Sequence, residues 1–327
     1  MSPRKPHPTL PRAARDAAPD APEAADPVPQ DRCGEIVGGR YQLEAVLGQG
    51  GMGWVYRARH VELDEPVVVK LIDPAWAQNT VARARFRREA KALIRLHHPG
   101  VVTMHELGEY QGSLFLVMEL LDGITLGDRL AQRSAPLSLS FVYDLFRQLG
   151  EVLVAVHATG VVHRDVKPDN VMLVGGTGQG QDETARAVLM DFGLARIEAV
   201  KDVRVSDTGA ALGTPAYMSP EQCSGHGLGP ASDIYALGVI LFEAVAGHRP
   251  FNSESVAVLL SHHLFVAAPR LDRAASGEVM PLGLAKLVED MMAKQPEARP
   301  NAADFLHRLE QIKLGHDPAT VEAAAVA

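Results

Sequence analysis

The apolar residues of this chain change rhythm once, and that single change narrows the folds open to it. Between Tyr41 and Glu119 they fall in short runs, YQLEAVLGQGGMGWVYRARH, PVVVKLI, VVTMHELGEY and SLFLVME, separated by turn residues such as Gln111-Gly112-Ser113. Such runs read as strands and hairpins. One interruption occurs at 81–96, where Phe86, Ala90 and Leu93 recur at helical spacing among arginines and His98-Pro99-Gly100 closes the segment; this is the pattern of an amphipathic helix. After Asp122 the spacing is helical, most clearly over 141–157, 233–246 and 282–293. Sheet first and helices second, without βαβ alternation, predicts an α+β chain of two unequal lobes.

A chain of 327 residues has length enough for two cores or one two-lobed domain around a cleft. Residues 1–38 are rich in Pro, Ala, Asp and Arg, a composition that cannot offset the entropy of ordering, and are expected to form a disordered tail. The expected lobes are 39–121 and 122–312, followed by a tail at 313–327. Gly175 to Asp182, GGTGQGQD, sits between the strand-like runs NVMLV and AVLM and reads as a lengthened hairpin loop.

The bulk numbers exclude several classes. Hydrophobic residues at 46% and charged residues at 22% are ordinary for a packed globular protein. A formal charge of −8 argues against a nucleic-acid partner, which needs a basic surface. Two cysteines, Cys33 and Cys223, cannot build a disulfide framework. Cys223 and His226 make half a tetrahedral metal site at most. Prolines interrupt the opening MSPRKPHPTLPR where a signal peptide would need an apolar core, and no apolar run approaches the ~20 residues of a membrane span. The expectation is a cytoplasmic chain with no membrane partner.

Gly48-Gln49-Gly50-Gly51-Met52-Gly53 fits G-x-G-x-x-G, a pattern shared with dinucleotide folds. The next residues decide between them. A dinucleotide fold needs a helix there, whereas Trp54-Val55-Tyr56-Arg57 is aromatic and β-branched, so the glycines join two strands. A side-chain-free loop of that kind can close over a nucleotide triphosphate, with Val55 against the base. Lys70 ends the apolar run Pro66-Val67-Val68-Val69; a cation there either finds anions or snorkels to the surface. Glu89 in the arginine-rich helix is a candidate partner for Lys70.

The most specific segment is Val162-His163-Arg164-Asp165-Val166-Lys167-Pro168-Asp169-Asn170. In-line phosphoryl transfer needs a carboxylate at the attacking hydroxyl, a cation on the γ-phosphate and oxygen ligands for Mg²⁺. Asp165, Lys167 and Asn170 supply these in order. Asp191-Phe192-Gly193 follows an apolar strand and adds a second Mg²⁺ ligand.

Taken together these motifs resemble the protein kinase superfamily, and within it the bacterial eukaryotic-like serine/threonine kinases, over about 39–312. The resemblance implies a bilobal fold with a small β-rich lobe and a larger helical lobe. It implies ATP bound by Leu47, Gly48, Gly50, Gly51, Gly53, Val55, Val68 and Lys70, with Met118 as gatekeeper and backbone groups of Glu119 and Leu121 at the adenine edge. Asp165, Lys167, Lys70, Glu89 and Thr214 are implied in catalysis, and Asn170 and Asp191 in holding Mg²⁺. Thr214 with Lys167 marks the Ser/Thr branch. Gly213 to Glu221 resembles the segment that receives protein substrates, Glu221 and Arg299 a structural ion pair, and Asp233 a brace for the catalytic loop. Val68 departs from the family's alanine and Val166 from its leucine.

The expected function is therefore transfer of the ATP γ-phosphoryl group to Ser/Thr hydroxyls of proteins. The alternatives are a catalytically silent scaffold on the same fold and a small-molecule phosphotransferase. Arg164 places a cation beside Asp165 that requires an anion. Phosphate on Ser206 or Thr208 is expected to meet it and switch the enzyme on, with self-association as a route to autophosphorylation.

Overall fold

The computed structural model describes residues 32–50, 53–74, 80–132, 136–175, 185–193, 215–271 and 273–315. The chain divides into two units, Met1–Arg32 and Cys33–Ala327, and every element below belongs to the second. Its first strand, β1 (Ile36–Val37), pairs antiparallel with β2 (Tyr41–Gly50). Val37 is fully buried, so the folded unit takes in residues 33–38, which the composition had put with the tail.

Strands β3 (Gly53–His60), β4 (Pro66–Ile72), β5 (Met104–Tyr110) and β6 (Ser113–Glu119) complete an antiparallel sheet in the order β1-β2-β3-β4-β6-β5. Side chains alternate across it with period two. Val67, Val69 and Leu71 of β4 join Phe115 and Val117 of β6 in one apolar cluster. Val68 and Ile72 join Leu114, Leu116 and Met118 in the other, where Phe86, Ala90 and Leu93 of helix α1 (Thr80–Ile94) pack against them. Lys70 shares the face of Val68 and Ile72, which is the face turned to the helical lobe's cluster.

That lobe begins with β7 (Gly123–Thr125) and α2 (Leu126–Gln132), then α3 (Leu139–Ala158), whose N-cap Ser138 accepts from Phe141 N–H. Strands β8 (Val171–Val174) and β9 (Arg186–Leu189) pair antiparallel beside β7, as the hairpin reading required; 176–184 lie outside the described residues. The short α4 (Pro220–Ser224) precedes α5 (Pro230–Ala246). Helix α5 is apolar on nearly all sides and buried from Ser232 to Phe242, the property of a central core helix. Helix α7 (Leu282–Met291) packs on it, α6 (Val256–Phe265) meets it through Tyr235 and His263, and α8 (Ala302–Lys313) packs on α3 and α7. Gly150 lets α3 and α8 touch: a Cβ there would come within 2.8 Å of Phe305 and closer still to Leu306. No helix among the described residues is long and apolar enough to cross a membrane.

Candidate active site

The loop after α3 carries the segment from His163 to Asn170. His163 is fully buried. Its Nδ1 accepts Asp165 N–H at 3.2 Å and its Nε2 faces the Met190 carbonyl at 3.0 Å, so the ring is neutral with its proton on Nε2. Burial pushes its pKa down, against the pull of Asp233 and Asp165. The Phe192 ring lies 4.5 Å from the imidazole, and Gly193 N–H donates to the His163 carbonyl at 2.9 Å. One buried histidine thus ties the loop of Asp165 to the loop of Asp191.

Arg164 has φ +65° and Asp191 φ +55°, left-handed values that L residues adopt only when their surroundings hold them. For Arg164 the holding groups are visible. Asp233, 1% exposed, accepts His163 N–H and Arg164 N–H at 2.8 Å each, and His157 Nε2–H at 2.9 Å. This is the brace the resemblance implied; His157, its third donor, gave no signal in the sequence.

Around Asp165 the charged groups converge. Lys167 Nζ is 3.4 Å from its Oδ2. Asn170 Nδ2 donates to that same oxygen at 3.2 Å and to the Asp165 carbonyl at 2.8 Å, which turns the amide oxygen of Asn170 free for a cation. The Asn170 carbonyl accepts Met190 N–H at 2.9 Å, setting Asp191 next to it. Burial would raise the Asp191 pKa, but Lys70 and more weakly Lys167 outweigh it and hold the carboxyl below the usual carboxylate range. An ionised carboxylate and an amide oxygen are hard ligands. Among the described residues no group of three His, Cys, Asp or Glu could cage a metal; the pair fits an ion that keeps waters and shares phosphate oxygens.

Lys70 makes its ion pair with Asp191, Nζ to Oδ1 2.9 Å, and not with Glu89. Glu89 is taken by Arg164, whose two guanidinium nitrogens reach its two carboxylate oxygens at 2.8 and 3.1 Å. Arg164 is therefore not an uncompensated cation, and the expected Lys70 to Glu89 pairing is corrected on the same ground. A planar guanidinium matches a carboxylate at two points, which a lysine ammonium cannot do.

On the sheet side, Gly53 has φ +138°, and a Cβ there would lie 1.9 Å from the Leu71 carbonyl, so only glycine fits. A Cβ on Gly48 would meet nothing within 4 Å, which leaves open space above β2. Gly50 pairs with Gly53 at the end of the hairpin. Leu47 is exposed and Val55 packs on the cluster that holds Val68 and Met118. The Glu119 amide is already spent on the Thr103 carbonyl and its carboxylate accepts Thr103 N–H, so its amide is not open to an adenine edge; Leu121 is partly buried. Gly51, Ser206, Thr208 and Thr214 lie outside the described residues. Glu221 and Arg299 form the expected ion pair at 2.7 Å.

Residues 41–309 match the family described as the protein kinase domain. The chain belongs to that family. It is 39% identical over 261 residues to the serine/threonine-protein kinase PknD of Mycobacterium tuberculosis, covering 80% of this chain and 38% of PknD. The same bacterium's PknA is 34% identical, with 88% of this chain and 64% of PknA covered. The kinase pkn3 of Myxococcus xanthus is 35% identical over 83% of this chain and 49% of its own. The chain thus spans less than two thirds of each of these relatives. Among solved structures, the M. tuberculosis PknI kinase domain superposes with a TM-score of 0.66 at 26% identity, over 86% of this chain and 98% of that one. Family membership carries the general use of ATP, a divalent metal and protein substrates.

Proposed function

We propose that this chain is a serine/threonine protein kinase that uses Mg²⁺ with ATP. The observation that carries the reading is the convergence of Lys167, at 3.4 Å, and Asn170, at 3.2 Å, on one carboxylate oxygen of Asp165, beside the Lys70 to Asp191 pair at 2.9 Å. The relatives named serine/threonine-protein kinase support the choice of acceptor.

In this mechanism the glycines from Gly48 to Gly53 cover the triphosphate, Val55 and Val68 face the base beside Met118, and the Glu119 carbonyl and Leu121 amide meet the adenine edge. Lys70 orients the phosphates. Asp191 and the Asn170 amide oxygen would hold Mg²⁺, which would supply charge neutralisation for the phosphates. Asp165 accepts the proton of the incoming hydroxyl, and Lys167 offsets charge on the phosphoryl group in flight. Thr214 belongs with the substrate-receiving segment, and Glu89 is the residue that Lys70 takes once Arg164 releases it. Phosphate at Thr208 or Ser206 is the proposed trigger for that release, supplied by a second copy of the chain. A cytoplasmic location is part of the same reading.

The test is transfer of label from γ-labelled ATP with Mg²⁺ to protein, antibiotic and sugar acceptors, with Asp165→Asn as the control. Label on Ser/Thr of protein, lost in Asp165→Asn, supports the reading. Transfer confined to small molecules, or none at all, overturns it.

A further inference from the structure

The short helix α4 carries a side chain that reaches the catalytic loop. Gln222 is its third residue, and its Oε1 accepts Ser219 N–H at 2.9 Å while Ser219 Oγ accepts Gln222 N–H. Such reciprocal bonds are a capping box, and a capping box alone would explain a glutamine here. Yet the other end of the amide is engaged as well: Gln222 Nε2 donates to the Arg164 carbonyl at 2.8 Å.

That carbonyl belongs to the peptide joining Arg164 to Asp165. The N–H of the same peptide donates to His163 Nδ1 at 3.2 Å. The plane is therefore pinned on both sides, by Gln222 at its oxygen and by His163 at its nitrogen. One residue earlier, Arg164 N–H is held by Asp233 and the backbone turns through φ +65°. The left-handed turn at Arg164 persists only while its neighbours hold it, and a small cavity lined by Arg164, Asp165, Tyr217, Gln222 and Asp233 adjoins the following peptide and gives its plane room to turn if the Gln222 bond is lost. A change in ψ at Arg164, which the pinned plane resists, would redirect the chain at Asp165 and shift its carboxylate relative to Lys167 and Asn170.

We propose that Gln222 is a positioning residue for phosphoryl transfer: by holding the Arg164 carbonyl it sets the direction of Asp165 and couples that direction to the segment at 215–221. The inference rests on Asp165 acting as the base. It adds a link between the stretch read as receiving the protein substrate and the group that takes the substrate's proton.

Gln222→Glu isolates the bond in question. A carboxylate at 222 still accepts Ser219 N–H and suits the first turn of a helix, but it cannot donate to the Arg164 carbonyl until it is protonated. The expected result is a melting temperature and a KM for ATP close to those of the unaltered enzyme. At pH 8 kcat falls at least about tenfold, a 1.4 kcal/mol loss in transition-state terms. As the pH is lowered toward 5.5, the ratio of variant to unaltered kcat rises, because the protonated acid regains a donor. Gln222→Met, of similar length and with no donor, loses kcat equally at every pH. The inference is overturned if kcat of Gln222→Glu stays within twofold of the unaltered enzyme at pH 8, if its loss tracks a fall in melting temperature, or if the two variants share one pH-independent deficit. Absence of protein phosphorylation by the unaltered enzyme would instead overturn the kinase reading itself.

Discussion

Both carboxylate oxygens of Glu89 are bound by the guanidinium of Arg164, at 2.8 and 3.1 Å, in a setting where each side chain is little exposed. This pair determines what Lys70 can do. With Glu89 engaged elsewhere, Lys70 spends its charge on Asp191, the carboxylate proposed to hold the metal. The structure thus has its four charged groups sorted into two pairs, and both must part for the proposed arrangement, with Lys70 on Glu89 and Asp191 on the metal, to form.

An anion that outcompetes Glu89 for Arg164 would drive the exchange. A phosphate on Thr208 or Ser206 brings about −1.5 to −2 charges and three acceptor oxygens against the single charge of Glu89. Preincubating phosphatase-treated enzyme with Mg-ATP is expected to remove a lag and raise the rate on an added protein about tenfold or more. The Ser206→Ala/Thr208→Ala double variant should stay at the low rate. Full activity in that variant, with no phosphate mapped between Asp191 and Glu221, would rule the switch out.

Lys70→Met and Asp191→Asn are each expected to reduce phosphoryl transfer below detection while the protein keeps its melting transition. Both side chains sit at the cleft and neither fills the apolar clusters, so their loss removes positioning of phosphate or metal and little packing. Circular dichroism melts beside the labelling assay separate the two effects. Retained turnover in Asp191→Asn would count against its role as metal ligand.

Much of this site was legible because it is local. Asp165, Lys167 and Asn170 fall within six positions, so backbone geometry alone keeps them together, and period-two alternation along β4 already turned Lys70 toward the face of Val68. What the sequence could not show is which cation takes Glu89. Lys70 and Arg164 both qualify by charge, and the choice depends on how helix α1 sits over a loop 75 residues away in sequence. Gln222 was hidden for a related reason: its spacing from Ser219 reads as a cap, and its second bond spans 58 residues. The two-residue β1 and five-residue α4 are shorter than the windows in which periodicity can be read.

Val68 stands where the family has alanine, 8% exposed and in one cluster with Met118 and Val166. Its two extra methyl groups face the proposed adenine site from the roof. Val68→Ala is expected to tighten ATP binding by roughly 1 kcal/mol, the scale of relieved overpacking. It should also cost the empty protein about 1–2 kcal/mol through lost burial. Nucleotide titration and melting of both forms check the pair of effects; equal affinities would show that the cleft has already relaxed around valine.

The Glu221 to Arg299 pair makes the last prediction, and its sign can be worked through. The Arg299 side chain is fully buried and Glu221 nearly so. Arg299 also donates to the carbonyls of Ala231, Ala293 and Lys294, so it joins α4 to the start of α5 and the turn after α7. Burial works to raise the Glu221 pKa, but hydrogen bonds from Arg299 and Ser232 outweigh it and leave the carboxyl below its usual range. A carboxyl depressed in the folded state adds stability that is complete above its unfolded pKa, about 4.3, and is lost as pH falls through the lower folded value. Arg299→Met removes the partner and leaves a buried charge, a change expected to cost about 3–5 kcal/mol at pH 7. In that variant the Ser232 hydrogen bond is left to oppose burial without the guanidinium, so the carboxyl takes up its proton at higher pH and the penalty is relieved earlier. The gap in melting temperature between the two proteins should therefore be widest near neutrality and narrow as the pH approaches 4. Melts recorded from pH 7.5 to 4 test this directly, and a gap that stays constant or widens on acidification would show that Arg299 stabilises through its three carbonyl contacts alone.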